Sequence, residues 1–319
     1  MSNFQILQGD CIEMMRTLPD NSVNCCVTSP PYFGLRDYGC DGQIGLEDSP
    51  EQFIARLVDV FREVKRVLND DGTLWVNMGD SYAGGGGGNY NKTGISQAGG
   101  QHITNVRNKP SWLNLCGLKP KDLIGIPWLL AFALRADGWY LRQDIIWHKP
   151  NPMPESVTDR CTKAHEYIFL LTKSPKYHFD SEAIKERAIT KGKRPTLEER
   201  YAKGEPKRHG LAGAGACNAG GWGTDEDGKK NKRSVWKVPV GGYREAHFAT
   251  FPTALITPCI LAGCPEGGTV LDPFGGSGTT AQVALQHRRN AILCELNPEY
   301  VKIIEKRLAS VDPLFNQTK

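Results

Sequence analysis

The distribution of apolar residues along the chain predicts a mixed α/β protein. Short β-branched and apolar runs predict strands, whereas apolar residues that recur at helical spacing predict helices. The predicted strands cover residues 4–7, 23–28, 73–77, 140–147, 167–171, 269–272 and 291–295, and the predicted helices cover 11–18, 50–68, 127–136, 281–285 and 298–308. Strands and helices that alternate in this way are typical of an open, mainly parallel sheet, which binds ligands at the carboxyl ends of its strands.

One of these strands ends in an unusual segment, Ser29-Pro30-Pro31-Tyr32. The prolines have a fixed φ and no amide donor, so the Ser29 side-chain oxygen and the Pro30 carbonyl are held in a rigid geometry. An aromatic ring beside hydrogen-bond acceptors suits a planar group with an amino function, such as a base lifted out of a nucleic-acid helix. The alternative is a strand end followed by an ordinary proline turn.

A second segment combines a strand with a glycine-rich turn and a helix. The strand at 269–272 leads into Pro273-Phe274-Gly275-Gly276-Ser277-Gly278, and a helix follows. Glycines in such a turn allow a ligand to approach the backbone and the amino end of the helix. The next strand ends in Glu295, 23 residues after Asp272, near the offset at which an acid reaches ribose hydroxyls in dinucleotide-binding folds. The order of these elements favours a nucleotide-binding site.

Together, the segments at 28–32 and 272–278 resemble the catalytic and S-adenosylmethionine motifs of the DNA amino-methyltransferases. A catalytic motif that precedes the cofactor motif, with a target-recognition region between them, is similar to the permuted order called the β class. The resemblance covers nearly the whole chain and implies a permuted Rossmann-like methyltransferase sheet. We expect residues 1–180 to form the catalytic part, with a flexible loop at 83–119. Residues 181–247 would form the target-recognition insert and 248–319 the cofactor-binding part of the same domain.

The family resemblance also implies the chemistry and the site residues. The methyl group of S-adenosyl-L-methionine would move to an exocyclic amino group of a base flipped out of double-stranded DNA. The catalytic residues that it implies are Ser29, Pro30, Pro31, Tyr32 and Asp10, and the cofactor-binding residues are Asp272, Pro273, Phe274, Gly276, Gly278, Thr279, Glu295 and Phe251. Asp10 has an alternative role as the N-cap of the first helix, and Trp147, beside the family's target-base segment, is alternatively a core residue.

Two features of the catalytic segment bear on which base accepts the methyl group. The segment contains no Pro-Cys step, which argues against covalent methylation of a cytosine ring carbon. Ser-Pro-Pro-Tyr after Thr28 resembles the cytosine-N4 subgroup, whereas Asp-Pro-Pro-Tyr is usual among adenine-N6 members. Because serine and aspartate both accept a hydrogen bond from an amine, the residues alone leave both bases open, and the resemblance favours cytosine.

Positive charge is concentrated in the predicted insert. The whole chain has a net charge of +4, whereas residues 181–247 hold 15 Lys and Arg against 9 Asp and Glu. Such a distribution is expected of a polyanion-binding region, although a charged run is also compatible with a solvated surface. The predicted DNA-binding residues are Arg36, Lys149, Arg194, Arg208, Lys230 and Arg233. The glycine-rich loop at 83–119 is either a plain flexible loop or a segment that orders on DNA.

The remaining features of the composition limit the class of protein. The ten cysteines include no Cys-x-x-Cys pair, which favours reduced thiols in a cytoplasmic protein without a bound metal. No apolar run has the length of a membrane span. The expected partners are DNA, a cognate restriction endonuclease of a restriction-modification system and, as a dimer, a second copy. An RNA methyltransferase and a non-catalytic DNA-binding relative are the alternative functions.

Overall fold

The computed structural model describes residues 3–35, 37, 39–83, 117–187, 229–241 and 251–309. The chain divides into two compact units, residues 1–180 with 234–319, and residues 181–233. The second unit begins where the predicted insert begins, but residues 234–241 belong to the first unit, so the predicted boundary at 247 differs from the structural one. Most of the predicted loop at 83–119 lies outside the described residues.

The first unit is built on an eight-stranded, mainly parallel sheet. Its strands are β1 (Phe4–Gln8), β2 (Val23–Thr28), β3 (Leu68–Met78), β4 (Tyr140–His148), β5 (His165–Thr172), β8 (Val235–Lys237), β9 (Thr269–Asp272) and β10 (Asn290–Glu295), in the spatial order β1-β10-β9-β2-β3-β5-β4-β8. Neighbours from β1 to β3 are parallel, β5 is antiparallel to both β3 and β4, and β8 is parallel to β4. The predicted α/β class is therefore confirmed.

Six helices connect or flank the described strands: α1 (Cys11–Arg16), α2 (Pro50–Val67), α3 (Ile126–Ala136), α4 (Thr253–Gly263), α5 (Thr279–Gln286) and α6 (Pro298–Ala309). Helix α2 begins as its sequence predicts, with proline in the first turn and the Ser49 side chain accepting a hydrogen bond from the Gln52 amide. Its apolar stripe is buried, with Phe53, Leu57 and Phe61 fully inaccessible to solvent. This packing fixes the sheet that carries the site.

Two elements of the first unit were absent from the sequence prediction. Helix α4 contains Pro258 in its interior, a residue that normally argues against a continuing helix. Strand β8 has only three residues, and it is held at the sheet edge by pairing with β4 and by a hydrogen bond of 2.8 Å from the Trp147 indole to the Val238 carbonyl. Trp147 is thus largely buried, yet it also lines the cavity described below.

The described part of the second unit contains a short antiparallel pair. In this pair of strands, β6 (Glu186–Arg187) and β7 (Lys229–Lys230), Glu186 is opposite Lys230 and Arg187 is opposite Lys229. Glu186 accepts a hydrogen bond of 2.6 Å from Arg233 and lies 3.6 Å from the Lys230 ammonium. These basic side chains are therefore partly neutralised by one carboxylate.

The described residues contain neither a membrane-spanning helix nor a metal-binding cluster. No helix among them has the length and apolar character needed to cross a bilayer. Within the same residues, no group of three or more His, Cys, Asp or Glu side chains is arranged to bind a metal ion.

Candidate active site

The two sequence motifs lie together at the carboxyl ends of the parallel strands, which we call this edge of the sheet. Because β1, β10, β9, β2 and β3 are parallel, the residues that follow their carboxyl ends meet at this edge. Strand β5 is antiparallel, so its first residues, including Glu166, reach the same edge. Between these ends lies a cavity of about 260 Å³.

The cavity wall contains nearly all of the predicted catalytic and cofactor-binding residues. Those that line it are Asp10, Ser29, Pro30, Pro31, Tyr32, Phe251, Asp272, Pro273, Phe274, Gly276, Thr279 and Glu295. Lys149, predicted to contact DNA, also lines it. Gly278 is not part of the wall formed by the described residues; its α-carbon instead faces Ile304 of α6.

The ring of Tyr32 is fixed by its surroundings. Its hydroxyl donates a hydrogen bond of 2.7 Å to Glu166, and a Cβ atom at Gly79 would lie only 2.6 Å from the ring edge. Residue 79 must therefore lack a side chain for the ring to occupy this position. Burial, together with the Glu166 carboxylate, raises the pKa of Tyr32 well above its usual value, so the hydroxyl stays protonated.

Glu166 and Asn77 are among the cavity residues that were missed in the sequence. Besides Tyr32, Glu166 contacts the Lys149 ammonium and accepts a hydrogen bond of 3.2 Å from the Asn77 amide. Lys149 lies 4.4 Å from the centre of the Trp147 ring. A carboxylate directly before the apolar run 167–171 of β5 was the available signal, because a largely buried acid requires partners of this kind.

Asp272 connects the two motifs. Its carboxylate accepts hydrogen bonds of 2.6 Å from the hydroxyls of Thr28 and Thr280 and of 3.0 Å from the Phe274 amide. Thr28 immediately precedes Ser29, so the carboxylate ties the end of the catalytic strand to the glycine-rich turn across 244 residues of sequence. Both oxygens of Asp272 are thus engaged by the protein itself, which indicates a structural contribution in addition to the predicted cofactor contact.

The buried Asp272 carboxyl should make folding stability depend on pH. Burial raises its pKa to about 7, against the opposing hydrogen bonds from Thr28, Thr280 and Phe274. Because the pKa in an unfolded chain is about 3.9, the folded protein binds a proton more tightly. The stability that this group contributes is present at low pH and is lost as the pH rises through about 7.

Asp272→Asn should remove this dependence, since an amide does not ionise. Relative to the variant, the wild-type free energy of unfolding should fall by about 2 kcal/mol between pH 5 and pH 7. Urea denaturation of both proteins at each pH measures the difference. Titrating groups that do not interact with Asp272 are common to both proteins and cancel. Parallel pH curves would contradict a raised pKa at Asp272.

Glu295 lies at the end of β10, beside the glycine-rich turn. Its carboxylate accepts hydrogen bonds of 2.7 Å from the Gly276 amide and 2.8 Å from the Asn297 amide. Burial raises its pKa, and these amides oppose the effect. Because a carboxylate has about four acceptor sites, Glu295 can still accept a hydrogen bond from a molecule in the cavity.

Asp10 lies both at the start of α1 and in the cavity wall. Its carboxylate caps α1 by accepting hydrogen bonds from the amides of Ile12 and Glu13 at 2.9 and 3.2 Å. It also lines the cavity and lies 3.5 Å from the Arg56 guanidinium. The cap and a place in the wall are therefore compatible.

The other predicted DNA-binding residues fall into two groups. Lys230 and Arg233 belong to the second unit, where both lie close to Glu186. Arg36, Arg194 and Arg208 fall outside the described residues.

Comparison with known proteins identifies the family of the chain. The profile of the DNA methylase family matches residues 23–306. The Type II methyltransferase M.Cfr9I of Citrobacter freundii is 49% identical over 308 residues, which are 96% of this chain and 88% of that protein. The Type II methyltransferase M.SmaI of Serratia marcescens is 46% identical, over 95% of this chain and 90% of that protein.

Solved structures share the fold at lower sequence identity. The PvuII DNA methyltransferase, which is cytosine-N4-specific, superposes with a TM-score of 0.62 and 17% identity, covering 98% of this chain and 92% of that protein. A DNA modification methylase assigned in Thermus thermophilus, in complex with S-adenosyl-L-methionine, superposes with a TM-score of 0.57 and 24% identity, covering 97% and 95%. From the family profile and the close full-length relatives, we conclude that this chain belongs to the DNA methylase family and is a DNA methyltransferase.

Proposed function

We propose that the protein transfers the methyl group of S-adenosyl-L-methionine to the N4 amino group of a cytosine flipped out of double-stranded DNA at a specific site. The observation that carries this proposal is the shared cavity, because Ser29-Pro30-Pro31-Tyr32 and the glycine-rich turn line the same space. A methyl donor and an acceptor base could thus bind next to each other in this cavity. The alternative with the same fold and site is an adenine-N6 methyltransferase.

The residues present fit S-adenosyl-L-methionine. Phe251 and Phe274 offer aromatic surface for an adenine ring, and the remaining acceptor capacity of the Glu295 carboxylate suits a ribose hydroxyl. Asp10 adds negative charge to the wall, which suits a cationic molecule. Gly276 has a φ of 52°, a backbone conformation that glycine adopts readily, and it adds no side chain to the cavity wall. When bound, the cofactor supplies an electrophilic methyl group.

Ser29 and Pro30 would orient the acceptor amine. An exocyclic amine is a weak nucleophile because its lone pair is conjugated with the ring of the base. If the Ser29 Oγ and the Pro30 carbonyl accept its two N–H groups, the nitrogen is drawn toward tetrahedral geometry and its lone pair is directed at the methyl group. Catalysis then depends on alignment and electrostatics, without a covalent enzyme intermediate. Tyr32 would stack on the base.

The choice of cytosine rests on Ser29. An aspartate at this position is usual among adenine-N6 members of the family, and serine resembles the cytosine-N4 subgroup. A decisive experiment incubates the protein with unmethylated DNA and S-adenosyl-L-methionine and identifies the modified nucleoside by mass spectrometry. N4-methylcytosine is the expected product. N6-methyladenine would overturn the choice of cytosine as the methyl acceptor. No modification of DNA would favour an RNA substrate or a non-catalytic DNA-binding protein.

DNA is the macromolecular partner of the enzyme. We also propose which part of the chain contacts the DNA. The contrast between the basic segment 181–247 and a nearly neutral remainder supports phosphate contacts from that segment, including Lys230 and Arg233. Lys149 would act at the base pocket. The Type II relatives support a cognate restriction endonuclease as a genetic partner, and a dimer remains our expectation for the assembly.

Glu295→Gln should weaken cofactor binding, partly because its NH2 group cannot accept from a backbone amide as the Glu295 oxygen does. The amide side chain keeps one acceptor oxygen but loses the charge that strengthens a hydrogen bond to a ribose hydroxyl. The dissociation constant for S-adenosyl-L-methionine should rise by about tenfold or more. Isothermal titration calorimetry measures this constant, and Glu299→Gln, on the exposed start of α6, is the matched control. Equal affinities for wild type and Glu295→Gln would remove Glu295 from the cofactor site.

A further inference from the structure

Helix α6 carries a charged residue on its buried face. Its buried residues are Ile304, Arg307 and Leu308, and their spacing places them on one side of the helix. Ile304 lies against Gly278 of the glycine-rich turn, and Arg307 lies about one helical turn further along α6. Because a buried guanidinium costs free energy unless hydrogen-bond acceptors surround it, the atoms that Arg307 contacts bear on its role.

The guanidinium of Arg307 is bonded to the glycine-rich turn and to the start of α5. Its Nη1 atom donates to the Ser277 carbonyl at 3.0 Å and to the side-chain oxygens of Ser277 and Thr279, both at 2.9 Å. Its Nε atom donates to the Gln282 side chain at 2.7 Å. Ser277 and Thr279 also line the cavity, whereas Arg307 is buried. The arginine therefore supports this part of the cavity wall from inside the protein.

The hydrogens of the two hydroxyls can be followed from these contacts. A guanidinium is a donor only, so neither hydroxyl directs its hydrogen at Arg307. The side-chain oxygens of Ser277 and Thr279 lie 3.3 Å apart, and this contact uses one hydrogen. Within the described parts of the chain, neither hydroxyl is bonded to a further protein acceptor. The second hydrogen is therefore available to an acceptor in the cavity.

A hydroxyl that donates into the cavity suits an anionic group. Hydrogen bonds to an ionised acceptor are roughly twice as strong as those between neutral groups, and a hydroxyl that accepts from a charged donor becomes a stronger donor itself. S-adenosyl-L-methionine has one anionic group, the carboxylate of its methionine part. The proposed site places the adenine beside Phe251 and Phe274 and the ribose beside Glu295, so these residues leave the carboxylate without a donor.

We infer that Arg307 is a positioning residue, which orients the hydroxyls of Ser277 and Thr279 toward the carboxylate of the cofactor. This inference deepens the proposed function and rests on its placement of S-adenosyl-L-methionine in the cavity. Arg307 acts only through the two hydroxyls in this arrangement. The competing explanation is a purely structural connection between α6 and the glycine-rich turn.

Two ligands that differ only in the carboxylate separate these explanations. Decarboxylated S-adenosylmethionine keeps the adenosine, the sulfonium and the amino group, and isothermal titration calorimetry gives the dissociation constant of each ligand. Wild type should bind S-adenosyl-L-methionine at least about tenfold more tightly. Arg307→Met should weaken binding of S-adenosyl-L-methionine by about tenfold, but that of the decarboxylated ligand by less than about twofold. Equal weakening of both ligands, or equal affinities of the wild type for them, would overturn the inference.

Arg289→Met is the matched control. Arg289 is also buried, but it donates to the backbone carbonyls of Cys264 and His287. Its replacement should therefore leave the ratio of the two dissociation constants at the wild-type value.

A second set of variants tests the inference even if Arg307→Met does not fold. Arg307→Lys keeps the charge but lacks the fixed fork of donors, so the ratio should fall by at least about threefold. Ser277→Ala/Thr279→Val should bring the ratio close to one, and adding Arg307→Lys should change it no further. An unchanged ratio in Arg307→Lys, or a further fall in the triple variant, would overturn the inference. These assays contain no DNA: wild type that binds the cofactor but methylates no DNA would refute the proposed function, whereas an active enzyme with an unchanged ratio in the variants refutes only the role of Arg307.

Discussion

Ser29→Ala is expected to lower kcat for DNA methylation by about two to three orders of magnitude. The substitution removes one of the two acceptors that orient the amine, and loss of a preorganised electrostatic contact of this kind costs about 10²–10³ in rate. The Pro30 carbonyl and the cofactor contacts remain, so residual activity should be measurable. Methylation of DNA with a radiolabelled methyl donor under single-turnover conditions gives the rate of the chemical step.

The control for this variant is Ser22→Ala, which removes a hydroxyl that donates to the Pro19 carbonyl at 2.7 Å, away from the cavity. It should leave the rate unchanged. Ser29→Ala should also bind S-adenosyl-L-methionine with an affinity within about threefold of wild type, since Ser29 accepts from the amine of the base and has no proposed contact with the cofactor. A Ser29→Ala protein that methylates at more than about a third of the wild-type rate would remove Ser29 from the mechanism.

Gly278→Ala is expected to destabilise the fold by about 2–5 kcal/mol. Residue 278 has φ of 77°, where a Cβ atom costs about 1–2 kcal/mol. Its Cβ would also lie 3.0 Å from Ile304, and overpacking of a buried contact costs about 1–3 kcal/mol more. Urea denaturation gives the change in the free energy of unfolding.

Gly267→Ala separates the two contributions. Gly267 has a similar φ of 79°, but a Cβ atom at this residue would meet nothing within 4 Å, so only the backbone cost applies. Gly278→Ala should therefore be the more destabilising of the two by at least about 1 kcal/mol. Equal effects would show that the turn accommodates a methyl group against α6.

Much of the fold could be predicted because local patterns and tertiary structure agree. Strand β2 was predicted with its observed bounds, and α2 begins at Pro50, the first residue of the predicted helix. The residues of both motifs meet because parallel strands end at one edge. Helix α4 was missed since Pro258 contradicts a local rule, and the surrounding core outweighs it: Leu255, Cys259 and Ile260 are buried.

The side chains around Tyr32 were less accessible to sequence reasoning. Glu166 is not part of either sequence motif. Its partners come from different strands, Asn77 from β3 and Lys149 from the residue after β4. Such a cluster depends on strand order and on the reversed direction of β5, which a single sequence does not state. Lys149 was found only through family resemblance.

The spatial order of the strands also determines when the site can form. Strands β9 and β10 lie between β1 and β2, although they are encoded more than 240 residues after β2. During synthesis, β1 and the edge of β2 that faces it in the sheet remain unpaired until β9 and β10 have been synthesised and insert between them. Pairings of this range are slow to form, and the waiting edges are exposed to wrong partners. A nascent chain in which β9 and β10 have not yet emerged therefore lacks the glycine-rich turn and Glu295, and its site is incomplete.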